Sequence, residues 1–251
     1  MSNKNTTSNS LVLITSGFPF DNHENYLETE IIHLSKKFSN VIILSHNTKS
    51  EKYRSVPKNV QVKRIRYKVK LIEKIISLKQ LFNKIFWAEI KLIKNQLKID
   101  LSIGIIKTLL ISLENSSRLE KKYNAEVLNS MYKDLIFYSY WCNDAAIALA
   151  NMKLINRDRI KCITRMHRWD IYFEESKYGY LPLRNHIFKN LDDVFSISKN
   201  GINYLQHQLN FNTESIKLSR LGVKKIGELN KKVTEKFLIV SCSNLIKVKQ
   251  V

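Results

Sequence analysis

The sequence predicts an α/β fold built on a doubly wound parallel sheet. Short apolar runs read as strands buried on both faces, helix-forming stretches separate them, and a glycine marks the first strand–helix turn. Repeated strand–helix alternation is the pattern that winds helices onto both faces of such a sheet.

"LVLITS" (Leu11 to Ser16) is the first buried strand, followed by Gly17. From Glu24 to Phe38, Tyr26, Leu27, Ile31, Leu34 and Phe38 recur at helical spacing, which places His33 within a helix. "VIILS" (Val41 to Ser45) completes a βαβ unit, which packs as a right-handed crossover. "VQVKRIRY" (Val60 to Tyr67) alternates apolar and basic residues, as a half-exposed strand does. Leu71 to Asn95 reads as one long amphipathic helical region.

Alternation then resumes with a strand at Asp134 to Tyr140, a helix at Trp141 to Lys153 and a strand at Ile160 to Met166. The polar loop "HRWDIYFEESKYGY" follows, then a helix "LPLRNHIFKNL" with Pro182 expected in its first turn. "DVFSIS" is a strand, "KNGINYLQHQL" a helix, and Ser215 to Val223 a last strand. The expected organisation is a disordered tail at 1–10, one domain at 11–223, a charged linker at 224–236 and the opening strand of a second domain at 237–251.

The composition, 44% hydrophobic and 25% charged over 251 residues, supports a sizeable core. Cys142, Cys162 and Cys242 are odd in number and lack zinc-ligand spacing, which suits reduced thiols in a cytosol and no metal. The polar N-terminus lacks the apolar region of a signal peptide. "SIGIIKTLLISL" (Ser102 to Leu113), at 12 residues, is shorter than the roughly 20 that span a bilayer. The expected location is therefore cytoplasmic, either free or at the inner face of the cytoplasmic membrane.

A net charge of +20 admits nucleic acid or an anionic membrane as partners. Ten Arg against 32 Lys counts against base-edge readout, so no nucleic acid is expected. Between Lys49 and Lys98, fifteen basic residues face three Glu. This is either a helix with a solvated basic face or, with Phe86 and Trp87 beside the lysines of 68–98, a membrane-surface patch.

Ligands of open α/β sheets sit beyond the carboxyl ends of the strands, which directs attention to 16–20, His46, 140–143, 165–170 and 196–200. "TRMHRWD" is the richest of these. His167 can act as acid, base or hydrogen-bond donor, Arg165 can hold an anion, and Asp170 can accept from sugar hydroxyls or orient the imidazole. The same residues also suit a surface turn with ordinary ion pairs. Gly17 lets backbone N–H groups approach a ligand. Trp141 and Trp169 can stack on a sugar ring or pack in the core. The three-glycine dinucleotide fingerprint, the P-loop and the nucleophile elbow are all missing.

In this order, "LVLITSGFPF", "ENYLETEIIHLSKKFSNVIILS", "RMHRWDIYFEE", "GYLPLR", "VFSISKNGINYL", "LSRLGV" and "FLIVSCSNLIKVKQV" resemble the bacterial family-4 glycosyltransferases of GT-B type. The branch with the greatest similarity is that of capsule, colanic-acid and other exopolysaccharide gene sets. The resemblance implies two Rossmann-like domains facing across a cleft. The first binds a glycan or lipid-linked acceptor and the second binds the nucleotide-sugar, which is a substrate, so no cofactor is implied.

The resemblance matches His167 to the family's cleft histidine near the transferred sugar, a catalytic role, and Gly17 to the first-loop glycine that approaches the substrate phosphates. Asp170 is expected to share the catalytic role, and Arg165, Trp169 and Ser198 to contact substrate, from their chemistry and their places beyond the strands. Lys249 matches a lysine that neutralises the donor diphosphate, while the neighbouring basic residue common in the wider family is Asn244 here. It also implies that 237–251 only begins the donor domain, so that this chain alone does not turn over. The competing reading is a non-catalytic basic module for a membrane or nucleic acid.

Overall fold

The computed structural model describes residues 10–46, 49–51, 53–66, 71–128, 134–156, 159–223 and 227, with side chains undescribed at 71–74 and 128. The tail expected before residue 10, the second-domain strand at 237–251 and Lys249 lie outside the described residues, as does the 224–236 linker apart from Gly227.

Seven parallel strands form one sheet in the order β3-β2-β1-β4-β5-β6-β7. They are β1 (Ser10–Thr15), β2 (Asn40–Ser45), β3 (Val60–Arg64), β4 (Leu135–Ser139), β5 (Ile160–Met166), β6 (Asp193–Ser196) and β7 (Ile216–Leu218). Ser10 of β1 pairs with both Asn40 of β2 and Leu135 of β4, so β1 lies at the centre of the sheet. The chain winds outward from β1 to β3, then returns to β4 and winds outward the other way. The β1/β4 boundary is therefore the topological switch point, and ligands of open α/β sheets bind beyond the carboxyl ends there.

The two faces carry unequal layers. Strand alternation sends Leu11, Leu13, Val41, Ile43 and Tyr138 to one face, against Leu27 and Ile31 of α1 (Leu27–Lys37). Val12, Ile14, Ile42, Phe137, Cys162 and Val194 form the larger core on the other face. That core is covered by α2 (Lys84–Leu92), α3 (Ile103–Tyr123), α4 (Asp144–Ile155), α6 (Arg184–Asn190) and α7 (Lys199–His207). Its centre is α4, whose Ala145, Ala146, Ala148 and Ala150 are all buried because it packs between the sheet, α3 and α6. An apolar helix of this kind has no solvent stripe to show.

Several expectations change. The helical region at 71–95 is broken: a 3₁₀ helix, Leu71–Phe82, ends at Asn83, which is extended at φ −82° and ψ 125°. The Asn83 side chain then caps α2 by accepting from the Ile85 N–H at 2.9 Å, so the break is built by that residue. "SIGIIKTLLISL" is the amino-terminal part of α3, a 21-residue helix capped by Ser102. No described helix is long and apolar enough to cross a membrane. The polar loop after β5 contains α5 (Arg168–Ile171) and a 3₁₀ turn, Phe173–Glu175. Pro182 precedes α6 rather than entering its first turn, since the cap is Leu183 at φ 59°. β7 is three residues long, and His33 is exposed.

Arg165 belongs to β5 itself, and alternation turns it toward the α1 face. Its guanidinium pairs with Glu30 of α1 at 2.6 Å, the two side chains being 11% and 20% exposed, and lies over the rings of Tyr138 and Tyr140. The Tyr138 hydroxyl donates to the other Glu30 oxygen at 3.2 Å. Removing one partner of such a pair strands the other charge. Arg165→Met is expected to lower the unfolding free energy by about 2–3 kcal/mol in urea titrations, with the Arg165→Met/Glu30→Leu double variant losing less. A double variant no better than the single one would show that stranded charge is not the cause.

Candidate functional site

Gly17, Trp141, His167, Asp170, Trp169 and Ser198 all sit in or beside the loops at the carboxyl edge of the sheet. In a parallel sheet, the first N–H groups beyond each strand have left the ladder and need other acceptors. Two buried carboxylates supply many of them here.

Glu24 is the first. Its Oε1 accepts from the Ser16 N–H at 2.9 Å, and its Oε2 accepts from the N–H groups of Gly17 and Phe18 at 2.9 and 2.7 Å. Oε1 also accepts from Trp141 Nε1 at 2.6 Å. Three successive N–H groups converging on one oxyanion form an anion nest, and here Glu24 of the same chain fills it. A Cβ at Gly17 would overlap the Asp21 carboxylate, 1.6 Å away, so a larger residue there requires that side chain to turn aside. Nothing in the residue spacing singled out Glu24. A carboxylate eight positions beyond Ser16 turns back only because Glu24 takes a left-handed φ of 59°.

Asp170 is the second carboxylate. Its Oδ2 accepts from the Cys142 N–H at 2.7 Å, and its Oδ1 accepts from the His167 N–H. Arg184 Nε donates to the Asp170 carbonyl at 3.0 Å. Burial pushes the Asp170 carboxyl up to about 6, against the lowering effects of Arg184 and of the backbone N–H groups of Cys142, His167 and Asp170 itself. Trp141 and Cys142, adjacent in sequence, are thus each held by a different carboxylate.

His167 follows β5 as the cap residue of α5 and is 6% exposed. Its ring lies 4.3 Å from that of Trp141 and 4.7 Å from that of Tyr140, centroid to centroid. Neither ring nitrogen has a hydrogen-bond partner. Burial, aided by the Arg165 cation, depresses its pKa to about 3, so the ring is neutral at physiological pH.

The other expected site residues are placed differently. Arg165 is committed to Glu30. Ser198 caps α7, accepting from the Gly201 N–H at 3.0 Å. Trp169, on α5, is 63% exposed and presents a free aromatic face at the crevice edge. His46, after β2, lies 3.0 Å from the Tyr123 hydroxyl. Among the described residues, no cluster of His, Cys, Asp or Glu is arranged to hold a metal.

No protein-family model matches the sequence, and no curated protein matches it. Among solved structures, the chain is similar to the apo form of WaaB, a lipopolysaccharide outer core galactosyltransferase. That likeness has 8% identity and a TM-score of 0.47, over 83% of this chain and 44% of that one. It is also similar to UGT2 of Phytolacca americana, complexed with UDP-2fluoro-glucose and pterostilbene. There the identity is 13% and the TM-score 0.41, over 87% of this chain and 55% of that one. The chain spans about half the length of each. Likenesses this distant carry no weight on activity or substrate.

The perturbed groups have opposite effects on stability. His167 falls from 6.5 to about 3 on folding, so between those values the unfolded chain binds the extra proton and stability rises with pH. Asp170 rises from 3.8 to about 6, so between those values the folded chain holds the extra proton and stability falls as pH rises. Acidification from pH 7 to 4 is therefore expected to destabilise the wild-type chain more than His167→Phe, which keeps the Asp170 effect and lacks the His167 one. Parallel pH curves of the urea midpoint would contradict the buried neutral imidazole.

Proposed function

We propose that this chain supplies the acceptor-side domain of a glycosyltransferase that moves a hexosyl group from a nucleotide-sugar to a polysaccharide or lipid-linked acceptor. The capsule and exopolysaccharide branch is the one its motif order favours. One observation carries the reading. A neutral imidazole with two unpartnered nitrogens lies buried under the Trp141 ring just beyond β5, near the β1/β4 switch point where ligands of such sheets bind.

In the ligand-free form the ring is too weak a base to hold a proton. A sugar diphosphate brought close adds negative charge, which favours the imidazolium and raises the pKa toward the range useful for proton transfer. Asp170, with both oxygens on backbone N–H groups, positions His167 rather than exchanging protons itself. Exposed Trp169 offers the flat apolar surface on which a sugar ring packs. Arg165 supports the edge of the site from the α1 face, and Gly17 and Ser198 shape the backbone around it. Lys249 is the residue the motif order assigns to the donor diphosphate.

The acceptor reading fits the surface between 75 and 103. Phe86, expected in this patch, is instead buried in the core at 2% exposure, whereas Phe82 is 92% and Ile103 85% exposed, with Ile75, Leu78 and Trp87 also open to solvent. Lys84, Lys91, Lys94 and Lys98 are exposed on and after α2. Apolar side chains among lysines suit an anionic bilayer carrying a lipid-linked acceptor. On this reading the protein works at the inner face of the cytoplasmic membrane.

Two experiments test the reading. Sugar transfer is measured with the full-length protein, a panel of nucleotide-sugars and lipid-linked acceptors. His167→Ala is expected to lower the rate by about 10²–10⁴-fold, and Trp169→Ala to raise KM for the acceptor. Transfer that is indifferent to His167→Ala would move the chemistry elsewhere. Flotation is expected to show binding to phosphatidylglycerol vesicles but not to phosphatidylcholine vesicles, at about 1 kcal/mol per surface lysine and weakening with salt. Phe82→Ser/Trp87→Ser should abolish it, and equal binding to both vesicle types would refute the electrostatic part.

A further inference from the structure

We infer that Glu24 is a positioning residue that pins the Trp141 indole as a lid over His167, and so governs when the imidazole meets solvent and substrate. Of the two rings packed against His167, Tyr140 is buried, whereas Trp141 reaches solvent. Trp141 is therefore the ring whose displacement would uncover the imidazole nitrogens, which now have no partner.

Besides packing edge-on against Tyr140, that ring is fixed by a hydrogen bond from Nε1 to Glu24 Oε1 at 2.6 Å. Glu24 cannot swing freely, since its two oxygens also hold the N–H groups of Ser16, Gly17 and Phe18. Its φ of 59° is a conformation that non-glycine residues keep only where the surroundings enforce it, and such positions cluster at switches and ligand clamps. The lid is thus coupled to the loop after β1. A ligand anion that took over the three N–H groups would release the carboxylate, and with it the indole. The coupling rests on the glycosyl-transfer reading only for its consequence to turnover.

A lid and a mere charge effect differ in sign. Glu24 is an anion, so neutralising it without moving Trp141 would disfavour the imidazolium and lower the His167 pKa further. Releasing Trp141 admits water and raises the pKa toward the ordinary 6.5. The other groups around the ring stay unchanged in both variants below: Arg165 of β5, Tyr140 after β4, Asp170 of α5 and, beyond it, Arg184 of α6.

The test is NMR on the protein without ligand, following the His167 ring through a pH titration and the three indole N–H signals. In Glu24→Gln the Trp141 indole N–H should lose its carboxylate-bonded shift, and the His167 pKa should rise by about a unit or more. Trp141→Phe keeps an aromatic ring but has no N–H to pin, and should shift His167 in the same direction. A folded Glu24→Gln whose His167 titrates unchanged or lower overturns the inference. If Glu24→Gln does not fold, Trp141→Phe decides: an unchanged His167 pKa overturns the inference and a raised one supports it. Should both shifts appear in a protein that transfers no sugar, the glycosyl-transfer reading fails while the lid stands.

Discussion

The carboxyl edge of this sheet depends on two buried carboxylates clipping backbone N–H groups that the strands cannot serve. Glu24 binds the loop after β1 to the Trp141 indole, and Asp170 binds the backbone of Cys142 to that of His167. Three loops from β1, β4 and β5 are thereby fastened through two adjacent residues. A buried N–H without a partner costs about 1–3 kcal/mol. Losing either carboxylate would leave several such donors at once, and the crevice would have no fixed shape.

That arrangement leaves His167 near the ligand-binding edge of the sheet yet buried. The strand order places the end of β5 beside the β1/β4 switch point, where a ligand can enter. The clip then lays Trp141 across the imidazole, and the ring loses water without gaining a hydrogen bond. Burying a polar group unsatisfied is unfavourable, and proteins retain such groups mainly where another state satisfies them. Under the proposed function, a hydroxyl-bearing acceptor provides that state.

The layer structure sets limits on where a partner can sit. Helices α2, α3, α4, α6 and α7 seal one face, while α1 is the one described helix on the other. The segment leading into α2 puts Phe82 outward because Asn83 ends the 3₁₀ helix and starts a new axis. A single continuous helix, as the apolar periodicity suggested, would not turn this side chain out in the same way.

The strands were legible in the sequence because buried parallel strands are written as apolar runs. β5 matches the run Ile160 to Met166, and β1, β2, β4 and β6 begin within one residue of theirs. The helix α3 was less legible, because half of its buried residues are polar or come late in a stretch whose start is nearly apolar. His167 and Asp170 could be located because they follow a recognisable strand. Glu24 could not, since its partners are backbone atoms and an indole 117 positions away, and no spacing rule records backbone donors. Arg165 and His167 differ by two positions, yet one faces α1 and the other the Trp141–Tyr140 pocket. The sequence by itself determined the strand set, the alternation and the loop that carries the imidazole. Only the tertiary structure decided which polar groups neutralise one another and which is left without a partner, because burial and hydrogen bonding depend on chain segments far apart in sequence.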